Sequence, residues 1–439
     1  MVTKLITLLV IVLGVIAVAQ IMRVYELSSK MRETGEHDIS NRDNKFNAAL
    51  MLGFMIFMFG GFIWLILKYG WVGRGDAASV HGHDLDWLLN VNFVIIIAVF
   101  FLTNFLLFFY AYKYVKKPGV PAYWYPHDNK LEMIWTAVPA VVLAVIIILG
   151  LIEWNQATDE AGDDAVVIEL FSYQFAWEAR YAGEDNVLGG FDYKLTHDEK
   201  NPLAIKTKES IELAIEDMEH SALGIDSLEA KLNDRTLIFA PEDRDKMMTD
   251  LKRKQQLIRS LYQMKNSHDA SLDKHAWDDF IQRDTLYLCK GQQYEFNFRS
   301  KDVIHSAYFP HFRAQMNTVP GMTTRFKFTP DKTTEEMRVE RGVPNFNFML
   351  LCNKICGTSH YKMKMLIVVL EKDDYKKWWE SKKGTTFKDT FFAAPADEEG
   401  DEGEENKEDN DEKEEGGNDE AVVDPEEEVE SAPEAEPRA

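Results

Sequence analysis

Apolar and polar positions follow three different rhythms along this chain of 439 residues. Near the N-terminus lie four unbroken apolar runs, Leu5 to Met22, Ala48 to Leu67, Leu88 to Tyr110 and Met133 to Ile152, none containing a charged residue. A helix needs ~20 apolar residues to cross a bilayer, and soluble core helices do not stay apolar on every face for that length. Four transmembrane helices are predicted. Beyond them the period changes to two. "DDAVVIELFSYQFAWEARY", "YLCKGQQYEFNFRSKDVIHSAYF", "TTRFKFTP" and "MKMLIVVLEK" read as strands of a β-domain. Between the first of these and the rest, Asn201 to Gln282 returns to helical spacing, as in "DKMMTDLKRKQQLIRSLYQM". That segment predicts a helical hairpin inserted between two strands, where loops tolerate insertions.

Charge gives the direction of the membrane segments. The loop after the first run carries Arg23, Lys30, Arg32, Arg42 and Lys45, and the loop after the third carries Lys113, Lys116 and Lys117. The loop between the second and third has only Arg74, with Lys68 at the helix edge. Cationic loops stay in the cytoplasm. The N-terminus and everything after Ile152 are then expected outside. Ala17-Val18-Ala19 has the pattern of a signal-peptidase site, but cleavage there would invert the later helices, so the first helix is expected to be retained.

The formal net charge of −23 is concentrated at the C-terminus. From Asp397 to Ala439, 22 Asp and Glu face three Lys and Arg, a balance of −19. With no aromatic residue there to bury, this tail is expected to be disordered and solvated. No cationic patch suggests nucleic acid.

Only three cysteines are present, too few for a disulfide scaffold. Cys289 lies in an alternating run and reads as a small core residue. The other two open the most informative stretch, "CNKICGTSHYKM", which brings together Cys352, Cys356, His360 and Met363. Zinc sites take four Cys or His ligands and no methionine. Disulfide-exchange motifs have two residues between their cysteines, not three. Soft thiolates, a thioether and imidazole suit copper, but a single-copper electron-transfer site uses one thiolate. With His305 of "KDVIHSAYFP" added, two cysteines, two histidines and a methionine suit two copper ions sharing both sulfurs. Such a pair spreads one added electron over both metals. The competing reading is a buried cysteine pair with an incidental His and Met. His81 and His83 of "HGHD" read as a surface loop pair.

These motifs carry a resemblance. "DVIHSAYFP", "NTVPG" and "CNKICGTSHYKM", in that order after "LEMIWTAVPAVVLAVIIILGLIEW", resemble subunit II of the haem–copper cytochrome c oxidases, over Leu88 to about Trp379. The resemblance implies an extracytoplasmic cupredoxin-like β-barrel or sandwich behind the helices, in a bacterial inner membrane. It divides the chain into an extra two-helix region (1–87), a family-type transmembrane hairpin (88–155), a copper domain (156–380, with the insertion at 201–282) and a linker with the acidic tail (381–439). It implies a dinuclear CuA centre with His305 and His360 as imidazole ligands and Cys352 and Cys356 as bridging thiolates. Met363 and the backbone carbonyl of Lys354 would be the weak ligands, with Met365 a neighbour that the spacing disfavours.

The implied activity is electron transfer from cytochrome c, or from a fixed cytochrome c domain, to haem in subunit I, where oxygen is reduced and protons are pumped. Membrane lipid and other oxidase subunits are the expected surroundings. Glu132, before the fourth helix, would stand at the entrance of a proton path into subunit I; by itself it is also a favourable acid at a helix N-terminus. Three departures from the family stand out. Lys354 replaces a Glu that helps hold magnesium, and Asn317 replaces an Asp nearby, which argues against a normal magnesium site with subunit I. At the electron entrance the family's Gln-Trp-Tyr-Trp is "QFAW", so Phe175 stands at the first aromatic position and only Trp177 remains. The alternative function is a copper-free structural subunit of a quinol oxidase; a copper chaperone or a nitrous-oxide-reductase-type module fits four membrane helices poorly.

Overall fold

A computed structural model describes residues 2–31, 40–70, 75–117 and 119–392. The acidic tail from Asp397 lies outside the described residues. Four long helices come first: α1 (Val2–Met31), α2 (Asn41–Tyr69), α3 (Val80–Lys113) and α4 (Asn129–Thr158). Each contains a stretch apolar enough to cross a membrane, with almost none of it buried inside the chain. Their apolar surface therefore faces lipid or other subunits. The helices outrun their apolar cores because polar residues cap them. Ser40 accepts from the Asp43 N–H, Ser79 from the Gly82 N–H, and Asp128 from the Lys130 and Leu131 N–H groups, satisfying donors that a helix N-terminus leaves open. α2 leans on α3 through Phe54 against Phe108 and through Phe59 and Phe62 against Phe100 and Phe101.

The rest is a β-sandwich with helical additions. In chain order it contains β1 (Val166–Tyr173), β2 (Ala176–Tyr181), α5 (Lys208–His220), α6 (Ile225–Asn233), α7 (Pro241–Ser267), α8 (Lys274–Trp277), β3 (Phe280–Arg283), β4 (Thr285–Cys289), β5 (Tyr294–Ser300), β6 (His305–Phe309), β7 (Ala314–Thr318), β8 (Thr324–Phe328), α9 (Thr334–Arg341), β9 (Phe348–Cys352), β10 (Lys364–Leu370), α10 (Lys372–Ser381) and α11 (Phe387–Phe391). One sheet runs β3-β2-β1-β5-β8 and the other β4-β10-β9-β6-β7. Both mix parallel and antiparallel pairs: β1 lies parallel to β5 and β4 parallel to β10. This is the cupredoxin-like sandwich implied by the resemblance. Alternate residues of the two sheets meet in one core, with Ile168, Leu170, Phe296 and Phe298 facing Leu288, Phe309, Leu350 and Ile367. Cys289 is buried there, as its alternating context predicts.

Four local expectations change. The run Asp163 to Tyr181 is not one strand but the hairpin β1–β2, turned at Gln174–Phe175. The insertion is not a two-helix hairpin. Turns ahead of Gly224 and Pro241 divide it into α5, α6 and α7, which close on a small core of Leu195, Ile211, Ile215, Ile258 and Leu261, and its far end is the sheet strand β3. The segment after 381, expected as linker, holds α11, because Phe387 is fully buried and stacks on Trp277 at 5.8 Å. Finally, His81 and His83 do not lie on a free loop. They sit in the first turns of α3 and hold it against the β-domain: the His81 ring packs edge-on to Phe326 and His83 reaches the Asp331 carboxylate at 2.5 Å. Backbone bonds Ala78 N to His311 O and Val80 N to Thr329 O, and the fork of Arg313 on Asp86, complete this junction.

Candidate metal centre

The centre forms at one end of the second sheet. His305 is the first residue of β6 and Cys352 the last of β9, on adjacent antiparallel strands. The chain then makes a loop, 353–363, before β10. Two backbone bonds fold that loop back onto the sheet, Asn353 N to Ser306 O and Cys352 N to Met363 O. Cys356, His360 and Met363 are thereby brought beside Cys352. Gly357 lets the loop pass: its φ is 146°, and a Cβ there would come within 2.8 Å of the Gln174 amide nitrogen and the Phe175 ring.

The donor atoms fall into two halves joined by sulfur. Cys352 Sγ and Cys356 Sγ are 3.9 Å apart. Beside Cys352 lie His305 Nδ1 at 3.9 Å and the Lys354 carbonyl oxygen at 3.2 Å. Beside Cys356 lie His360 Nδ1 at 3.5 Å and Met363 Sδ at 3.8 Å. The nitrogen and sulfur atoms of His305, Cys352 and Cys356 all lie within 4.8 Å of one another. His305, Cys356 and Met363 are buried, while Cys352 and His360 are partly exposed. Burial and the neighbouring Cys352 push the Cys356 thiol up to about 11. Two thiolates this close and this dry repel each other unless a cation lies between them. The donor set therefore fits soft metal ions shared by both sulfurs.

Asp302, three residues before His305, was not singled out from sequence. Its Oδ1 accepts from His305 Nε2 at 2.9 Å, and its Oδ2 accepts from the Gln174 N–H at 2.7 Å. Burial raises the Asp302 pKa, but the bonds from His305, Gln174 and Val303 outweigh it and hold the carboxyl below its usual value. With Nε2 as the donor, His305 Nδ1 carries a free lone pair on the side of Cys352, the tautomer a metal needs. Gln174 also donates from Nε2 to the Cys356 carbonyl at 2.5 Å. The β1–β2 turn is thus tied to both halves of the centre. The only sequence signal was the carboxylate's i,i−3 spacing from a ligand histidine. Asp302→Ala is expected to weaken metal binding by about 10–100-fold while the fold persists; unchanged metal retention under chelator competition would count against this positioning role.

The remaining candidates are placed as follows. Trp177 is buried, with its ring 6.1 Å from the His305 ring. Phe175 is half-buried beside Gly357. Lys354 and Asn317 are exposed. Met365 is buried in β10 opposite Leu350. Glu132 is exposed in the first turn of α4, on the far side of the membrane span from the β-domain.

Comparison with known proteins points the same way as the sequence motifs. Residues 68–152 match the family described as cytochrome c oxidase subunit II, transmembrane domain. The chain is homologous to cytochrome c oxidase subunit II. It is 25% identical over 286 residues to the alternative cytochrome c oxidase subunit 2 of Bradyrhizobium diazoefficiens, covering 65% of this chain and 75% of that one. It is 22% identical over 356 residues to cytochrome c oxidase subunit 2 of Mycobacterium tuberculosis, covering 79% and 84%. Overlap with the solved periplasmic domain of subunit II of Bradyrhizobium japonicum cytochrome oxidase is loose, with a TM-score of 0.25 and 14% identity over 51% of this chain and 97% of that one. As a homologue of subunit II, the protein is a multi-pass membrane component of an oxidase, with its β-domain outside. It is an electron-transfer subunit and works with subunit I and other oxidase subunits.

Proposed function

We propose that this subunit II passes electrons from a cytochrome c, or from a fixed cytochrome c domain, through a dinuclear CuA centre to haem in subunit I, where oxygen reduction drives proton pumping. The observation that carries the reading is the convergence of six donors, from His305, Cys352, Lys354, Cys356, His360 and Met363, in two halves joined by a pair of sulfurs. Two copper ions bound there would supply one-electron redox chemistry shared between both metals. The protein's part is to hold the donors still. Cys352 is fixed on a strand end, and His305 is oriented by Asp302. Cys356 is fastened through its carbonyl to Gln174, and Met363 is buried in the core. A centre whose donors are already in place needs little rearrangement when its charge changes. The retained donor set argues against the copper-free quinol oxidase reading.

Trp177 is the aromatic group against His305, but it is buried and cannot touch a donor protein. Phe175, nearer the surface beside the copper loop, is the contact we assign to the electron entrance. Lys354 and Asn317 offer no carboxylate for magnesium. Glu132 is assigned to the cytoplasmic entrance of a proton path. Glu132→Ala is expected to slow turnover about tenfold or more, as loss of a proton-transfer group does, with copper content intact. Unchanged proton-linked haem reduction would remove Glu132 from that role. The deciding experiment for the whole reading is copper stoichiometry with an electron-spin spectrum on the purified oxidase. Two copper ions per subunit II sharing one unpaired electron are expected; one or none would return the chain to the structural reading.

A further inference from the structure

A cavity of about 590 Å³ opens where the outer ends of α3 and α4 meet the β-domain. Its polar lining includes His81 and Asp84 from α3, Asn155, Gln156 and Asp159 from the end of α4, and Lys327 from β8. Just deeper on the same two helices, Trp87 and Trp154 are exposed. Exposed tryptophans on membrane helices settle at the boundary between headgroups and acyl chains. The cavity therefore lies at the depth of the outer-leaflet headgroups.

The histidine in this cavity has an unmet requirement. Ser79 Oγ donates its single proton to the Phe312 carbonyl at 2.7 Å. The 3.3 Å contact between Ser79 Oγ and His81 Nδ1 must then take its proton from the ring. That leaves Nε2 with a bare lone pair, and Nε2 is buried with no partner. A buried acceptor left unpaired is destabilising, so the site calls for an N–H or O–H donor. Asp84 and Asp159 add negative charge to the cavity lining, and Lys327, whose ammonium also donates to the Glu160 carbonyl, adds a cation to it. The matching ligand carries a cation with N–H donors close to an anion, at headgroup depth. A primary ammonium next to a phosphodiester has that chemistry. A trimethylammonium group has no N–H for His81, and a glycerol headgroup has no cation.

We propose that this cavity binds the headgroup of an ethanolamine phospholipid, with its ammonium between His81 Nε2 and Asp84 and its phosphate at Lys327. The acyl chains lie along the exposed apolar surface of α4 below, at Ile152, Ile148 and Leu151. The lipid thereby fills the joint between the membrane helices and the domain that carries the metal centre. The proposal requires only the membrane topology and does not depend on how many copper ions the centre holds.

The test uses the purified, delipidated oxidase. It is exposed to an equal mixture of phosphatidylethanolamine and phosphatidylcholine with matched acyl chains, washed with detergent, and analysed for retained lipid by mass spectrometry. The parent is expected to retain the ethanolamine lipid about tenfold over the choline lipid, the size of one charge-assisted hydrogen bond. Asp84→Lys should abolish that preference while copper content and turnover stay at parent levels. His81→Phe, which keeps a ring against Phe326, should reduce it. Equal retention of the two lipids, or an unchanged preference in Asp84→Lys, would overturn the proposal. So would displacement of the lipid by soluble phosphoethanolamine at equal concentration, or a cross-link from Gln156→Cys into subunit I showing that protein fills the cavity.

Discussion

His360→Ala is expected to destroy the shared-electron copper signal and to lower cytochrome c oxidation by about 100-fold or more, because a direct ligand is lost where even outer partners of a metal site cost 10–100-fold. His360 Nδ1 lies 3.5 Å from Cys356 Sγ, while the nearby His305 imidazole makes its contact with Cys352, at 3.9 Å. Without it the Cys356 half retains only the Met363 thioether, a weak donor. Residue 360 lies on a short turn at the edge of the loop, and its side chain is not buried. Alanine there should leave the sandwich folded, so lost activity can be separated from lost structure by circular dichroism. Copper content and turnover both remaining at parent levels would refute the assignment of the centre.

A second large effect is expected from Arg299→Met. On the outer face of the first sheet, Arg299 donates from Nε to one Glu169 oxygen at 2.8 Å, from Nη2 to the other at 2.5 Å, and from Nη2 to the Leu203 carbonyl at 3.0 Å. Its guanidinium also lies 3.7 Å from the centre of the Phe191 ring. Next to it, buried Arg180 pairs with Asp279 and lies 3.7 Å from Glu169. These ions fasten the long segment after β2 onto the sheet. Burial works against the Glu169 charge, but Arg299 and Arg180 overcome it and hold the carboxyl below its usual value. Its stabilising contribution is therefore present above the ordinary carboxylate range and is lost as pH falls through that range towards the depressed value. Removing Arg299 leaves Glu169 charged, buried and held only at a distance. Breaking such a pair costs about 3–5 kcal/mol, which for a domain of this size lowers Tm by about 10 °C. Limited proteolysis of the oxidase during a temperature ramp would read the loss. Arg299→Met combined with Glu169→Leu should recover most of it, since paired removal leaves no orphaned charge. A single variant as resistant as the parent would mean that the network is not holding the segment.

The fold was legible in the sequence where its periodicity was simple. Four charge-free runs had no water-soluble solution and became α1 to α4. Period-two runs became the strands of the sandwich. The reading failed where the chain punctuates itself. Two strands joined by a tight turn have the same alternation as one, so the β1–β2 hairpin was invisible. Helical spacing over 201–282 could not say that α5, α6 and α7 would close into a bundle of their own. "TTFKDTFF" reads as linker because a helix of five residues is too short to show a period; Trp277, far earlier in the chain, gives Phe387 its burial. The histidines of "HGHD" looked like surface because their partners, Phe326 and Asp331, come from far later in the chain.

The metal centre divides in the same way. Sequence alone determined the chemical kind of the site, because the spacing of Cys352, Cys356, His360 and Met363 and the soft character of their donors are local properties of one short stretch. It also determined the membrane spans, since solvation of an apolar run does not depend on its neighbours. Only the tertiary structure decided that His305 approaches Cys352, that Asp302 turns its imidazole the right way, and that Gln174 ties the β1–β2 turn to the loop that carries Cys356. The first and last of those contacts join positions 47 and 182 residues apart in sequence. No local pattern encodes them; they exist because two strand ends and a loop are packed against one core.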